Sequence, residues 1–295
     1  VTPPDLQDEA ARLHTVWREL GIPGVVDVHT HFMPANVLAK VWAYFDSAGP
    51  LLGRPWPVAY REDEDARVAR LRAYGVQRFT SLLYPHKPGM GAWLNEWAAD
   101  FAARTPDCLH SATFFPEPEA GEYVGAALRS GARVFKAHVQ VGAYDPSDPL
   151  LDPVWEQLEE AGTPVVIHCA SGPRPGAHTG PGPVREVLRR FPRLTLVVAH
   201  MGLPEYTPFL ELAETHERVH LDTTMAFTDF GDFTDPGDLD LPRLAGLQDR
   251  ILLGTDFPNI PYPYLHQVEA LVRLGLGDDW LRAVLRDNAV RLLDL

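Results

Sequence analysis

Cysteine is nearly absent from this 295-residue chain, with Cys108 and Cys169 as the only two. Two thiols set in apolar runs cannot form a disulfide framework, so both read as buried free thiols in a reducing compartment. Lysine is scarce as well, limited to Lys40, Lys87 and Lys136, and acidic residues outnumber basic ones 40 to 26 for a formal net charge of -14. That balance excludes a broad nucleic-acid surface, which needs a basic footprint. No uninterrupted apolar run reaches the ~18 residues of a transmembrane helix, so no membrane partner is expected. The stretch "VTPPDLQDEAARLHTVWREL" is acidic and amphipathic and lacks the basic segment of a secretory signal, so a cytoplasmic protein is expected. A glycine-rich phosphate loop is missing after the first strand-like run, which argues against a doubly wound dinucleotide-binding sheet.

What is present is a repeat of form. Eight β-rich runs stand out: 24–30, 76–84, 108–115, 132–139, 164–170, 194–200, 218–224 and 249–256. Between them lie segments such as "DEDARVARLRAY", "GAWLNEWAADFAART", "DPVWEQLEEAG" and "GPVREVLRRFP", whose apolar residues recur at helical spacings of three and four. Several strand runs are continuously apolar, as when both faces are covered. Strand and helix alternating eight times predict an α/β fold of the (β/α)8 TIM-barrel type over residues 24–295, preceded by a helical extension over 1–23. The aromatic and proline-rich stretch 40–60 is too long for a simple strand-to-helix loop, and Trp42, Phe45 and Trp56 are candidates to wall a pocket or cover a rim. With 88–97 it is also a candidate contact in a homo-oligomer.

The polar residues in these runs carry the chemistry. In "GVVDVHTHFMP", residues 24–34, side chains two apart share a face, which aligns Asp27, His29 and His31. Two buried imidazoles on one face need partners, and a metal ion is one way to satisfy both. Lys136 and His138 lie in the fourth run, His168 ends the fifth, His200 the sixth, and Asp256 the last. In a barrel these strand ends converge on one mouth, and no local turn or cap would require such residues there.

The pieces "DVHTHFMP", "VFKAH", "VVIHCA", "RFPRLTLVVAHMG", "LLGTDFP" and "DNAVRLLDL", in this order, resemble the amidohydrolase superfamily, in its branch related to aminocarboxymuconate-semialdehyde decarboxylase. The resemblance implies that His29, His31, His168 and Asp256 hold one divalent metal while His200 stays off it and handles protons. Three imidazoles and a carboxylate suit Zn2+, and the same donors accept Mn2+ or Fe2+. Asp256 would then both touch the metal and take a proton from water, and Asp27 would support the ligands rather than join them. Lys136 is open to three roles: a bridge between two metals, a partner for substrate, or a structural ion pair. His138 shares that openness.

The glycine- and proline-rich loop "SGPRPGAHTGPGP" offers Arg174 and His178 as substrate-binding groups, Arg174 for a carboxylate. Asn259 and Tyr262 follow Asp256 closely enough to line the same mouth. Asp222 is expected to face the barrel, and Asp229, Asp232 and Asp235 to be solvated. The expected activity is metal-dependent hydrolysis of a small organic ester, lactone or amide by metal-activated water. Its rival is non-oxidative decarboxylation of an aromatic or unsaturated acid at a single metal. A barrel that only binds a ligand is a third reading, disfavoured by the complete ligand set.

Overall fold

The structure, a computed structural model, describes residues 6–230 and 240–295. The chain divides into two compact units. One comprises residues up to His31, Ala35–Phe79 and the chain from Thr223 onward; the other comprises Phe32–Pro34 and Thr80–Asp222.

All eight apolar runs carry strand. They are β1 (Val25–Asp27), β2 (Val76–Thr80), β3 (Cys108–Leu109), β4 (Ser111–Thr113), β5 (Val134–His138), β6 (Val165–His168), β7 (Leu196–Val198), β8 (Val219–Asp222) and β9 (Ile251–Leu252). The third run is split at His110, whose carbonyl accepts the Arg133 N–H at 2.8 Å. In the second unit β4 to β8 lie side by side in sequence order, each parallel to the next. The register pairs His138 with His168, which puts two predicted site residues on adjacent strands at the same level. Helices Ala120–Arg129, Asp152–Ala161, Pro181–Arg190 and Tyr206–Thr215 supply the parallel crossovers. In Pro181–Arg190, Val184, Val187 and Leu188 are buried at the spacing of one helix face, and Arg189 and Arg190 fall in the last turn, where cations suit the carbonyl end. Asp152–Ala161 has proline in its first turn and closes on Gly162 at φ +65°, a left-handed geometry that favours glycine.

In the first unit, β1 pairs with β2 in parallel, Val25 against Val76 and Asp27 against Phe79. On its other edge the first run meets the last. The Val28 N–H donates to the Leu253 carbonyl at 2.9 Å, Asp256 N–H to the His29 carbonyl at 2.8 Å, and His31 N–H to the Phe257 carbonyl at 2.7 Å. The N-terminal helix spans Leu6–Leu20, with Leu13 and Trp17 buried. The stretch after the first strand departs from a plain loop: Ala35–Ser47 is helical, because "ANVLAKVWAYFDS" contains neither proline nor glycine to stop it. Helix Glu64–Ala73 begins at Asp63, whose carboxylate accepts the Ala66 N–H at 2.8 Å.

Candidate metal centre and its surroundings

His29, His31 and Asp256 meet in the first unit. His31 Nε2 lies 2.7 Å from Asp256 Oδ1, and His29 Nε2 lies 3.5 Å from the same oxygen. The two imidazole rings stand edge to face, 5.1 Å between centroids. Ligand atoms of all three residues lie within 4.8 Å of one another, the one such histidine, cysteine or carboxylate group among the described residues. Two atoms each bound at ~2.1 Å to a shared ion are at most ~4.2 Å apart, and the 2.7 and 3.5 Å separations from Asp256 Oδ1 fall inside that limit. Neutral imidazole and carboxylate are also the donor chemistry that zinc, manganese and iron accept.

The backbone explains how the three converge. His29 and His31 lie just beyond the end of β1, their ring centroids 5.1 Å apart, and the bonds to 253–257 set the last run beside them. Asp256 adopts φ +71°, a conformation that costs a non-glycine residue energy and persists where surrounding structure enforces it. Asp27, wholly buried, accepts the His29 N–H at 3.1 Å, the Thr255 hydroxyl at 2.6 Å and the Tyr264 hydroxyl at 3.0 Å. Both of its oxygens are thus engaged by protein donors, consistent with a carboxylate that supports the ligands. Tyr264 and Thr255 were not singled out by the sequence, since a tyrosine opening a helix carries no local mark of such a contact.

An aromatic wall grows from the same segment. Asn259 N–H donates to the Asp256 carbonyl at 2.8 Å. The indole N–H groups of Trp42 and Trp56 reach the Asn259 side-chain and backbone oxygens at 3.0 and 2.7 Å. Phe45 stacks on Trp56, and Phe230 meets Trp56 edge to face and lies 5.8 Å from the Tyr262 ring. Burial, reinforced by the Asp256 charge, pushes the Tyr262 phenol well above its ordinary range, so it stays protonated.

The second unit holds Lys136, His138, His168, Arg174, His178, His200 and Asp222. His138 and His168 stack with centroids 4.2 Å apart, and His168 meets His200 edge to face at 4.7 Å. His168 Nε2 lies 2.8 Å from the Gly172 carbonyl, which can only accept; this nitrogen therefore carries the proton, and neutral His168 keeps its lone pair on Nδ1. His138 Nδ1 accepts the Val141 N–H at 3.3 Å. His200 sits at φ +57°, and its N–H donates to Asp222 Oδ1 at 2.9 Å. Asp222 is fully buried. Lys136 is fully buried too, with no exposed surface. Arg174 is exposed, and its carbonyl accepts the Gln140 amide. His178 is half-exposed, Nδ1 3.6 Å from Asp145 Oδ2. Burial, with the Glu205 charge, raises the Cys169 thiol far above its usual range against an opposing effect of Lys136, so the protonated thiol is favoured. Asp229 is largely exposed beside His266, while Asp232 and Asp235 lie outside the described residues.

A family model for amidohydrolases matches residues 26–295. The chain belongs to the amidohydrolase family. Among solved structures this amidohydrolase is similar to an uncharacterized TIM-barrel protein of Bordetella bronchiseptica, at 22% identity and TM-score 0.72, covering 92% of this chain and 98% of that one. It is also similar to a 5-carboxyvanillate decarboxylase of Novosphingobium aromaticivorans complexed with manganese and 4-hydroxy-3-methoxy-5-nitrobenzoic acid, at 17% identity and TM-score 0.63, covering 93% and 97%. A probable 2-pyrone-4,6-dicarboxylic acid hydrolase of Acinetobacter baumannii matches at 12% identity and TM-score 0.61, covering 92% and 100%. No curated protein matches the sequence. The fold of this amidohydrolase is the TIM barrel that the eight runs predicted. Among its described residues, no helix is long and apolar enough to cross a membrane.

Proposed function

We propose that this amidohydrolase is a metal-dependent hydrolase that opens a small organic ester, lactone or amide with water. The observation that carries the reading is the accessibility of Asp256: its side chain is 13% exposed, against 1% for His29 and 5% for His31. It is the carboxylate of the group that solvent water can reach. A divalent cation, Zn2+ in the first instance and Mn2+ or Fe2+ as fitting alternatives, supplies a Lewis acid that makes water more acidic and polarises a carbonyl.

His29 and His31 would hold the cation through Nε2, and Asp256 would hold it and accept a proton from water. By the family resemblance His168 would be a further ligand, through Nδ1, the nitrogen that its bond to Gly172 leaves with a lone pair. His200 donates a proton to the leaving oxygen or nitrogen, with its backbone fixed by Asp222. His138 stacks on His168 and steadies that ring. Arg174 and His178, on an accessible loop, suit a substrate carboxylate, while buried Lys136 suits an internal positioning role.

Non-oxidative decarboxylation remains the second reading, favoured by the wall of Trp56, Phe230 and Tyr262 near Asp256, a surface suited to a flat aromatic acid. The experiment that separates them measures proton release from a panel of lactones, esters and amides beside carbon dioxide release from aromatic acids. Turnover of the first panel without carbon dioxide supports hydrolysis. Carbon dioxide release from the second panel, with the first inert, overturns it.

A further inference from the structure

We propose that Glu9, on the N-terminal helix, is a positioning residue for the His29–His31–Asp256 group, acting through Tyr60, Tyr264 and Asp27. The inference rests on the reading of that group as a metal centre.

Glu9 is buried, an unusual place for a carboxylate, and it is surrounded by donors. Its Oε1 accepts the Tyr60 hydroxyl at 3.0 Å and the Leu265 N–H at 2.9 Å, and Oε2 accepts the Tyr74 hydroxyl. Tyr60, while donating to Glu9, accepts the N–H of Tyr264. Tyr264 and Leu265 are the first two residues of helix Tyr264–Arg273, whose opening N–H groups have no partner within the helix. Glu9 and Tyr60 therefore cap that helix from elsewhere in the chain, and the carboxylate charge suits its positive end. The residue so fixed, Tyr264, sends its own hydroxyl to Asp27, which holds the His29 N–H. An unbroken series of hydrogen bonds thus runs from Glu9 to the backbone of a metal-ligating residue.

The polarity of the series is determined. A carboxylate accepts all three bonds at Glu9, so Tyr60 must donate there and can accept from Tyr264. Burial raises the phenols of Tyr60 and Tyr264 well above their ordinary range, and both remain protonated donors. Glutamine at position 9 would present an amide N–H to a ring of donors, leaving at least one unpaired in the interior. Phenylalanine at 264 removes the hydroxyl on Asp27 and leaves the ring in place.

The test is Mn2+ affinity, read from the electron paramagnetic resonance signal of free Mn2+, in the wild-type protein and in Glu9→Gln, Tyr264→Phe, the double variant and His31→Ala. Apo melting temperatures are recorded alongside. We expect Glu9→Gln and Tyr264→Phe each to weaken Mn2+ binding by about 10-fold, the range for residues supporting metal ligands, and the double variant to weaken it no more than the worse single. Should Glu9→Gln fail to fold, Tyr60→Phe, which breaks the next link, takes its place with the same expectation. Wild-type affinity in the single variants, with melting temperature alone reduced, overturns the positioning role, as does full additivity in the double variant. If His31→Ala binds Mn2+ as the wild type does, the metal-centre reading itself fails, an outcome distinct from the other two.

Discussion

His31 Nε2 and Asp256 Oδ1 stand 2.7 Å apart although 225 positions of chain separate them. Backbone bonds from His31 to Phe257 and from Asp256 to His29 hold the two side chains in place. A cation held by these side chains would need their imidazoles unprotonated and the carboxylate ionised, so its affinity is expected to fall as pH is lowered, and metal titrations across pH check this.

Replacing His31 or Asp256 by alanine is expected to reduce bound metal at least ~10-fold relative to wild type after equal metal loading. Elemental analysis of the purified variants checks this. Full occupancy in either variant contradicts the assignment.

His200→Ala is expected to keep its metal while losing turnover by about 10²–10⁴-fold, the span for a lost acid–base group. Steady-state kinetics paired with metal analysis reads both quantities. Loss of metal in a folded variant would instead make His200 a ligand.

Stability should decline in alkali. Burial pushes the Cys108 thiol from 9.0 up to about 12, so the unfolded chain releases its proton first as pH rises. From pH ~9 to ~12 each pH unit then removes roughly 1.4 kcal/mol of stability through such a group. Buried Tyr60, Tyr74 and Tyr264, all raised by burial, act in the same direction at higher pH. Melting temperatures between pH 8 and 11 check the slope, and Cys108→Ala should flatten it between pH 9 and 10.

Gly24→Ala should destabilise the first unit strongly, by about 3 kcal/mol or more. Gly24 lies at φ +148°, and an added Cβ would strike the Gly75 carbonyl oxygen, a backbone atom that accepts the Val25 N–H and cannot retreat cheaply. Chemical denaturation of Gly24→Ala beside Gly21→Ala, where no atom crowds the added carbon, separates the clash from the φ penalty.

The repeat was legible because its physics is local. Helices 64–73, 91–104, 152–161 and 181–190 fall within two residues of their apolar periodicity, and every continuous apolar run became strand. His29, His31 and Asp256 could be named because histidine and aspartate at strand ends have no local reason to be there. The helix at 35–47 was hidden by the prolines and glycines that follow it, which drew the whole stretch toward loop. The positive φ of His200 and Asp256 left no trace, since no glycine marks either place. Glu9 was invisible for a different reason: its partners lie 51, 65 and 256 positions away, and an acidic residue in the first turn of a helix is ordinary.

The seam between the first and last runs sets an order of events during synthesis. A ribosome that has made His29 and His31 must still add more than two hundred residues before Phe257 can accept the His31 N–H and Asp256 can face the imidazoles. Nascent chains stopped short of residue 256 would carry the two histidines without their carboxylate. The trio is therefore complete only once the chain has been made through Asp256, and any ion it takes must arrive later than that.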